Sequence, residues 1–406
     1  MADTVQPRDA KDVEAAVQWA LAESKSLEIV GRGTKRALGR PAQFDATLDL
    51  SALAGVTLYE PEELVLSAQA GTPLSQIEAL VASKDQQLAF EPIDYGPLLG
   101  APPGQATIGG VLAANISGPR RIKAGAARDH FLGVTAVSGR GEVFKSGGRV
   151  VKNVTGYDLC KLLAGSWGTL AAMTDVTLKT LPRPETEQTV MVFGLDDAAA
   201  ARAMCAALGA PVDVSGAAHV PAGVAARLVA GEARAVTALR LEGVVPSVAH
   251  RSGALETLMK PFGASIAVGP IASRTLWKEI RDVTPFATSG ASGDRHVWRV
   301  STAPLRGHDI AAAIRKGADA EILYDWGGGL VWAALAPTDD AGAKLVRGAV
   351  AAAGGHATLV RAPAALRASV APFGAEADAL AALTRRVKKS FDPQGVLGPG
   401  RMWAGV

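Results

Sequence analysis

The sequence predicts an α+β fold in two parts followed by a tail. Three observations predict it. Apolar residues recur with helical and strand periods in alternation along the chain. Near "RPETEQ" (183–188) the texture changes from glycine-rich loops at strand edges to a plainer alternation of strands and helices. From 376 a helix runs into a tail punctuated by proline and glycine. The expected units are 1–185, 186–375 and 376–406. The second reads as a smaller α+β unit, an antiparallel sheet with helices on one side.

Each element has its own warrant. Residues 8–25 read as an amphipathic helix, with Val13, Ala16, Val17, Ala20 and Leu21 at helical spacing. "LEIVGRG" is a strand entering a glycine loop, and "FDATLDLSAL" and "ELVLSAQAG" are strand-like. "TPLSQIEALVASK" predicts a helix with Thr72 as N-cap, Pro73 at its first position, and Leu74, Ile77, Leu80 and Val81 on one face. "QLAFEP" reads as a further short strand. "FLGVTAVSGRGEVFKSGG" (131–148) is a hairpin around a Gly-Arg-Gly turn. Residues 156–182 give a short helix, a glycine loop and a strand ending at Pro182.

Composition excludes several classes. A net charge of +3 is too small to indicate nucleic acid or an anionic membrane as partner. The short basic runs "GPRRIK" and "RRVKK" read as solvated faces or local anion contacts. No uncharged apolar stretch reaches the ~20 residues of a membrane helix, and the N-terminus lacks a signal-peptide pattern. Two cysteines, Cys160 and Cys205, fit a reducing, cytoplasmic setting and cannot supply a four-cysteine iron–sulfur cluster.

The loop "VGRGTKRALG" (30–39) invites a phosphate. It is not a Walker A loop, because Gly33-Thr34-Lys35 has the wrong order and Arg36 stands where a hydroxyl is needed. It is not a dinucleotide-binding fingerprint, because the third glycine is Arg36 and Gly39 and Pro41 forbid a long helix. What remains is a nest of bare backbone N–H groups or a plain surface turn. Two further segments shift the balance. "ATIGGVLAANISG" (106–118) is small enough for a flat molecule to lie on the backbone, and "LLAGSWGTLAAMTDVTLK" (162–179) runs a Gly-Ser-x-Gly-Thr loop into a strand.

Three such segments in this order resemble the flavoproteins of the vanillyl-alcohol-oxidase type, whose FAD-binding domain is called PCMH-type. The likeness rests on "VGRGTK", "PPGQATIGGVLAANISG", "GAARDHFLGVTAVSGRGEVFKSGG" and "VKNVTGYDLCKLLAGSWGTLAAMTDVTLKTLP". The tail "FDPQGVLGPGRM" is similar to the family's closing "DP-x-G-x-x-NPG", with Gly398 in place of asparagine. Within the family, "KNVTGYDLCKLLAGSWGTL" and the compact length look like the FAD-binding E subunits of glycolate oxidase (glycolate dehydrogenase). The resemblance implies a PCMH-type FAD domain, a cap, and a tail that returns to the FAD domain. It implies FAD oxidoreductase chemistry on a small 2-hydroxy acid. The implied partners are a paralogous FAD-containing catalytic subunit and an iron–sulfur subunit, and any membrane association would be peripheral, through that complex.

By the same resemblance, backbone amides of Arg32, Gly33, Thr34 and Lys35 bind the FAD pyrophosphate, complemented by the charge of Lys35 or Arg36. Thr107, Gly109, Gly110, Asn115 and Gly118 line the ribityl chain and flavin. Gly168 and Leu170 meet the adenosine end. Members with covalent flavin use a histidine in the first loop or a cysteine in the second. Neither is present in these loops, so non-covalent FAD is expected. Active hydroxy-acid members carry "H-x-G-D-G-N-x-H" in the cap. Here "YDWGGGLVW" (324–332) stands in its place, with Tyr324 and Trp332 where histidines are expected, so no metal is expected and the chemistry is assigned to the partner. Arg295, His296 and Arg299 of "GDRHVWR" remain as a candidate base-plus-arginine group, and His356 and Arg361 as a weaker pair. Two other readings stay open: a self-sufficient FAD oxidoreductase, and a structural subunit without flavin.

Overall fold

The computed structural model describes residues 3–149, 156–228 and 231–406. The "VKNVT" part of the resemblance (151–155) lies outside the described residues. The first part of the chain builds two sheets. β1 (Asp3–Val5), β2 (Leu27–Val30) and β3 (Ala46–Asp49) form a parallel sheet in the order β1-β3-β2. The helix Ala10–Ala22 starts where Asp9 accepts from the N–H groups of Lys11 and Asp12, and it buries Val13, Ala16, Val17 and Ala20. β4 (Val56–Glu60) and β5 (Val65–Gln69) join β7 (Phe131–Ser138), β8 (Val143–Gly147) and β9 (Ala171–Lys179) in a five-stranded antiparallel sheet. β7 and β8 are the expected hairpin, and Gly141 takes the positive φ of its turn.

Two local expectations need correction. Thr72 does not cap the helix Leu74–Ala82, which has Pro73 at its N-cap. The Thr72 hydroxyl instead donates to Gln69 O at 2.6 Å and accepts from Gly55 N at 2.9 Å. "QLAFEP" is not a strand over its length. β6 is only Gln86–Gln87, paired with β10 (Leu181–Pro182), and the chain then turns so that Glu91 sits at φ 56.

The second part is one eight-stranded antiparallel sheet. Its strands are β11 (Thr186–Phe193), β12 (Val214–Val220), β13 (Val236–Gly243), β14 (Ser265–Val268), β15 (His296–Ser301), β16 (Ala320–Asp325), β17 (Leu330–Leu335) and β18 (His356–Arg361). Their order is β14-β11-β13-β12-β16-β17-β15-β18. Side chains alternate between two faces. The outer face packs against the helices Asp197–Gly209, Val245–Met259, Gly307–Gly317 and Ala343–Ala353. One helix departs from the one-sided expectation. Pro270–Arg281 covers the inner face, where Trp277 is buried and its Nε1 donates to Thr189 Oγ1. Leu38, Ile93, Tyr95, Leu98 and Ile116 of the first part join the same inner core.

Buried polar contacts hold the two parts together. Glu91 pairs with Arg240 of β13 at 2.8 Å, and Arg120 pairs with Glu242 at 2.6 Å and with Glu91 at 3.3 Å. Burial alone would raise the Glu91 carboxyl, but the Arg240 and Arg120 guanidiniums hold it down at about 2. The Trp326 indole donates to Gly118 O at 3.0 Å. The tail closes back on the first sheet. Leu27 N donates to Val396 O, Gly398 N donates to Leu27 O, and buried Lys388 binds Thr169 O, Leu397 O and Asp392.

Candidate functional site

The loop after β2 forms one wall of a cleft. Gly31, Arg32, Gly33, Thr34, Lys35 and Arg36 line it, opposite Thr107, Gly110 and Ala113. Gly31 is required by contact, since a Cβ there would meet Thr107 Oγ1 at 2.5 Å. Gly33 is required by its φ of +67°. Among the described residues, no protein acceptor receives the backbone N–H of Arg32, Gly33, Thr34 or Lys35. Lys35 is buried, and its Nζ makes a single hydrogen bond, to Thr34 Oγ1 at 3.3 Å. No carboxylate lies in ion-pair reach of it among the described residues. Burial pushes its ammonium down to about 8, against a weaker pull from Asp94.

Arg36 is not available as the complementary cation. Its guanidinium is bound to Glu28 at 2.6 Å and to Thr47 at 3.1 Å. Of the two cations the sequence offered, Lys35 is the one without such partners among the described residues. Arg401 of the tail adds a second cation to the cleft, bonded to Lys35 O at 2.9 Å. A buried cation without a carboxylate, next to four unfilled N–H groups, fits the diphosphate that the resemblance implies.

The cleft continues over Ile29, Gly109, Gly168, Ala171 and Met173. Thr107 caps the helix Ile108–Ala114, accepting from Gly110 N. A Cβ on Gly109 would meet Ala70 at 2.8 Å, so glycine is what lets this turn lie against β5's end. Gly168 has φ +77° and faces Ile29. Trp167 is common to the cleft and to a second cavity of ≈ 320 Å³ between the two parts. Asn115 lines that second cavity, with φ 49 and its Oδ1 accepting from Arg128 N.

Four sequence candidates fall elsewhere. Gly118 does not line the cleft; it is packed against Glu91 O, 2.5 Å from a hypothetical Cβ, and its carbonyl holds Trp326. Leu170 is buried in the core, and the neighbouring Ala171 and Met173 line the cleft instead. Arg295 is tied to Asp319 at 2.8 Å. His296 shares its parity with Trp298 and Val300, whose side chains enter the outer core, so its ring lies on the face away from both cavities. Of the weaker pair, Arg361 is spent on the carbonyls of Arg295, Leu98, Phe286 and Ser292, while His356 does reach the second cavity. Tyr324 also points outward, to Asp197 at 2.6 Å, and only Trp332 of the expected pair is on the inner face.

Sequence reasoning missed Ile29, Trp167, Met173, Arg401 and Arg121, while Arg299 of the "GDRHVWR" group does reach the second cavity. The single available signal was Trp167, which fills the variable place of "GSxGT". Arg121 and Arg299 come from distant stretches and meet over Trp326, their guanidiniums 4.4 and 5.0 Å from its ring centre.

A family model described as FAD binding domain matches residues 2–147. The chain is 32% identical over 393 residues to glycolate oxidase subunit GlcE of Escherichia coli (strain K12), covering 96% of this chain and 95% of that one. It is 32% identical over 190 residues to a D-2-hydroxyglutarate dehydrogenase of Xanthomonas citri pv. viticola, covering 47% of this chain and 38% of that one. Among solved structures, 4-ethylphenol oxidase from Gulosibacter chungangensis superposes with a TM-score of 0.75 at 14% identity, covering 99% of this chain and 89% of the other. p-Cresol methylhydroxylase gives 0.71 at 13%, covering 99% and 88%. These two establish the PCMH-type fold. No helix of the described residues is long and apolar enough to cross a membrane. An FAD-binding domain at one end and a full-length likeness to a glycolate oxidase subunit place the chain among FAD-dependent oxidoreductases, and it belongs to the family of glycolate oxidase subunit GlcE.

Proposed function

We propose that this chain holds FAD non-covalently and serves as the FAD-binding subunit of a cytoplasmic complex that oxidises glycolate to glyoxylate. The observation that carries the flavin part is Lys35, a buried cation with no carboxylate of its own beside unfilled backbone donors. In this reading the N–H groups of Arg32, Gly33, Thr34 and Lys35 bind the diphosphate with the Lys35 ammonium. Thr107, Gly109, Gly110 and Asn115 follow the ribityl chain toward the ring, and Gly168 meets the adenosine end. Among the described residues no histidine or cysteine lines the cleft, which supports non-covalent attachment. When bound, FAD supplies the hydride acceptor for a hydroxy acid. The chain's own part is to bind and orient. Trp167 meets Phe373 in a tilted contact, ring centres 5.7 Å apart, where the cleft adjoins the cavity.

The partners in this reading are a paralogous FAD-containing catalytic subunit and an iron–sulfur subunit. It rests on the full-length likeness to a protein named as one subunit of glycolate oxidase. Arg295 and His296 have no part in it. The test is to purify the chain alone, record its visible spectrum and add glycolate or D-lactate. A stable flavin spectrum that bleaches only with the partner present is expected. Bleaching by the chain alone would favour a self-sufficient oxidoreductase, and a colourless chain that cannot take up FAD would overturn the flavin reading.

A further inference from the structure

The tail helix leaves part of its apolar stripe uncovered. Asp378–Phe391 carries Leu380, Leu383, Val387 and Phe391 at helical spacing, a stripe that a surface helix ordinarily turns to the core. Its one fully buried side chain is Lys388. Val387 and Phe391 are half-buried against the core of the first part, where Phe391 meets Phe144 edge-on. Leu380 and Leu383 remain 51% and 47% exposed. Both line a groove of ≈ 290 Å³, together with Leu170, Trp403 and the exposed Leu162 of the short helix Leu159–Leu163. Tyr157, exposed, stands two residues before that short helix. Among the described residues no carboxylate lines the groove.

Charge and ring contacts point to what covers it. The tail helix holds one carboxylate, Asp378 in its first turn, while Arg385, Arg386 and Lys389 crowd its second half. These three are exposed, and among the described residues none of their side chains has an ion pair or a hydrogen bond. Arg386 is three residues beyond Leu383 and so its neighbour on the helix surface. Whatever covers Leu383 therefore meets that guanidinium. The groove is also joined to the cleft through aromatic rings. Trp167 is the aromatic side chain of the cleft, its ring centre is 5.7 Å from that of Phe373, and Phe373 is 5.8 Å from Trp403 in the groove. Trp403 Nε1 donates to Gly374 O, which fixes the last ring of the three. Rings in contact couple two redox centres better than a gap filled with water.

We propose that this groove is the docking face for a one-electron-carrying protein, in the complex above the iron–sulfur subunit, whose contacting surface brings apolar side chains flanked by carboxylates. The proposal rests on the functional reading for the existence of the complex and adds where on this chain the carrier sits. Oxidation of glycolate to glyoxylate releases two electrons and two protons. The electrons reduce ferric iron of the carrier to ferrous one at a time, and the protons go to water. A carrier seated on Leu162, Leu380 and Leu383 has Trp403 beside it, and three rings then join it to the cleft. A symmetric pair of copies using this face would instead bring two basic helices together, which their charge opposes.

The test uses this chain co-expressed with the paralogous FAD-containing subunit and the iron–sulfur subunit, with FAD content and melting temperature measured for every variant. A photo-crosslinking residue in place of Leu383 is expected to join this chain to the iron–sulfur subunit. Leu380→Asp and Leu383→Asp each weaken binding of that subunit at least tenfold, with FAD content and melting temperature unchanged. Arg386→Glu weakens it too, and wild-type binding falls as salt is added. Lys316→Glu, exposed on the helix Gly307–Gly317 of the second part, leaves it unchanged. Cross-linking to the paralogous subunit, to a second copy of this chain or to nothing would overturn the proposal, as would wild-type binding by both aspartate variants. In those outcomes the wild-type complex still assembles and the functional reading stands. A wild-type chain that joins neither subunit would remove the partners from that reading, and this proposal with them.

Discussion

Lys35 should make FAD affinity depend on pH by an amount that can be worked out. In the flavin-free chain burial holds its ammonium at about 8, against 10.5 for a free lysine. A diphosphate beside Nζ restores the preference for the charged form. Affinity is then flat below about pH 7 and falls about tenfold per pH unit above about 8, until the pKa of the complex is passed. From about pH 7 to about pH 9 the dissociation constant rises about tenfold, or about 1.4 kcal/mol. Lys35→Met weakens binding at neutral pH and removes this slope. The assay is a fluorescence titration of apoprotein with FAD at three pH values, for both proteins. Parallel pH profiles would refute the assignment of Lys35 to the diphosphate. The stability of the flavin-free chain carries the opposite sign. Between about 8 and 10.5 the unfolded chain binds more protons than the folded one, so its stability rises with pH across that window.

Five further changes probe the rest. Gly33→Asp sets a carboxylate in the diphosphate loop and should give a folded protein without FAD; stoichiometric flavin by absorbance would count against the loop. Gly109→Val drives its side chain into Ala70, from 2.8 Å at Cβ, and should cost about 1–3 kcal/mol with loss of FAD, read as a lower melting temperature; an unchanged melt would remove the close-approach argument. Arg240→Met leaves Glu91 and Glu242 sharing Arg120, and breaking a buried pair costs about 3–5 kcal/mol, visible as faster proteolysis between the two parts. The Glu91 contribution is present above the ordinary glutamate range and is lost as pH falls toward about 2, so Glu91→Gln should flatten the acid limb of the stability curve. Lys388→Met strands buried Asp392, and hydrogen exchange at 395–398 should accelerate if this lysine latches the tail.

The fold and the cleft loops were legible because their signals are local. A glycine at positive φ, a small residue where backbones touch and an apolar alternation all leave marks within a few residues. "VGRGTK", "ATIGG" and "GSWGT" each did so, and Gly33, Gly109 and Gly168 stand where those marks pointed. Strand parity is a different matter. "RHVWRVS" is a strand as expected, but the phase that sends Trp298 outward also sends His296 outward and brings Arg299 to the cavity. One residue of phase separates a base candidate from a residue packed away from both cavities. Phase is set by the core contacts of Trp298 and by pairing with β17 and β18, which no short window contains. Arg121 and Trp326 are more distant still, more than two hundred positions apart, and meet only because the sheet closes on the first part.

The pairing of cations is what divides structure from function in this chain. Taking a charge out of water costs several kcal/mol, and a fold recovers that only when an opposite charge or several acceptors come with it. Arg240, Arg120 and Lys388 meet this condition inside the protein and serve to join its parts. Buried Lys35 and half-buried Arg299 have no such partner among the described residues, and exposed Arg121 bears little of that cost. For folding alone, the depressed Lys35 ammonium says that Met at position 35 would be better. A ligand that brings its own negative charge removes the objection at Lys35. The two sets of unpaired cations adjoin through Trp167. In the proposed reading a dinucleotide whose diphosphate lies against Lys35 extends past Trp167 toward the second cavity.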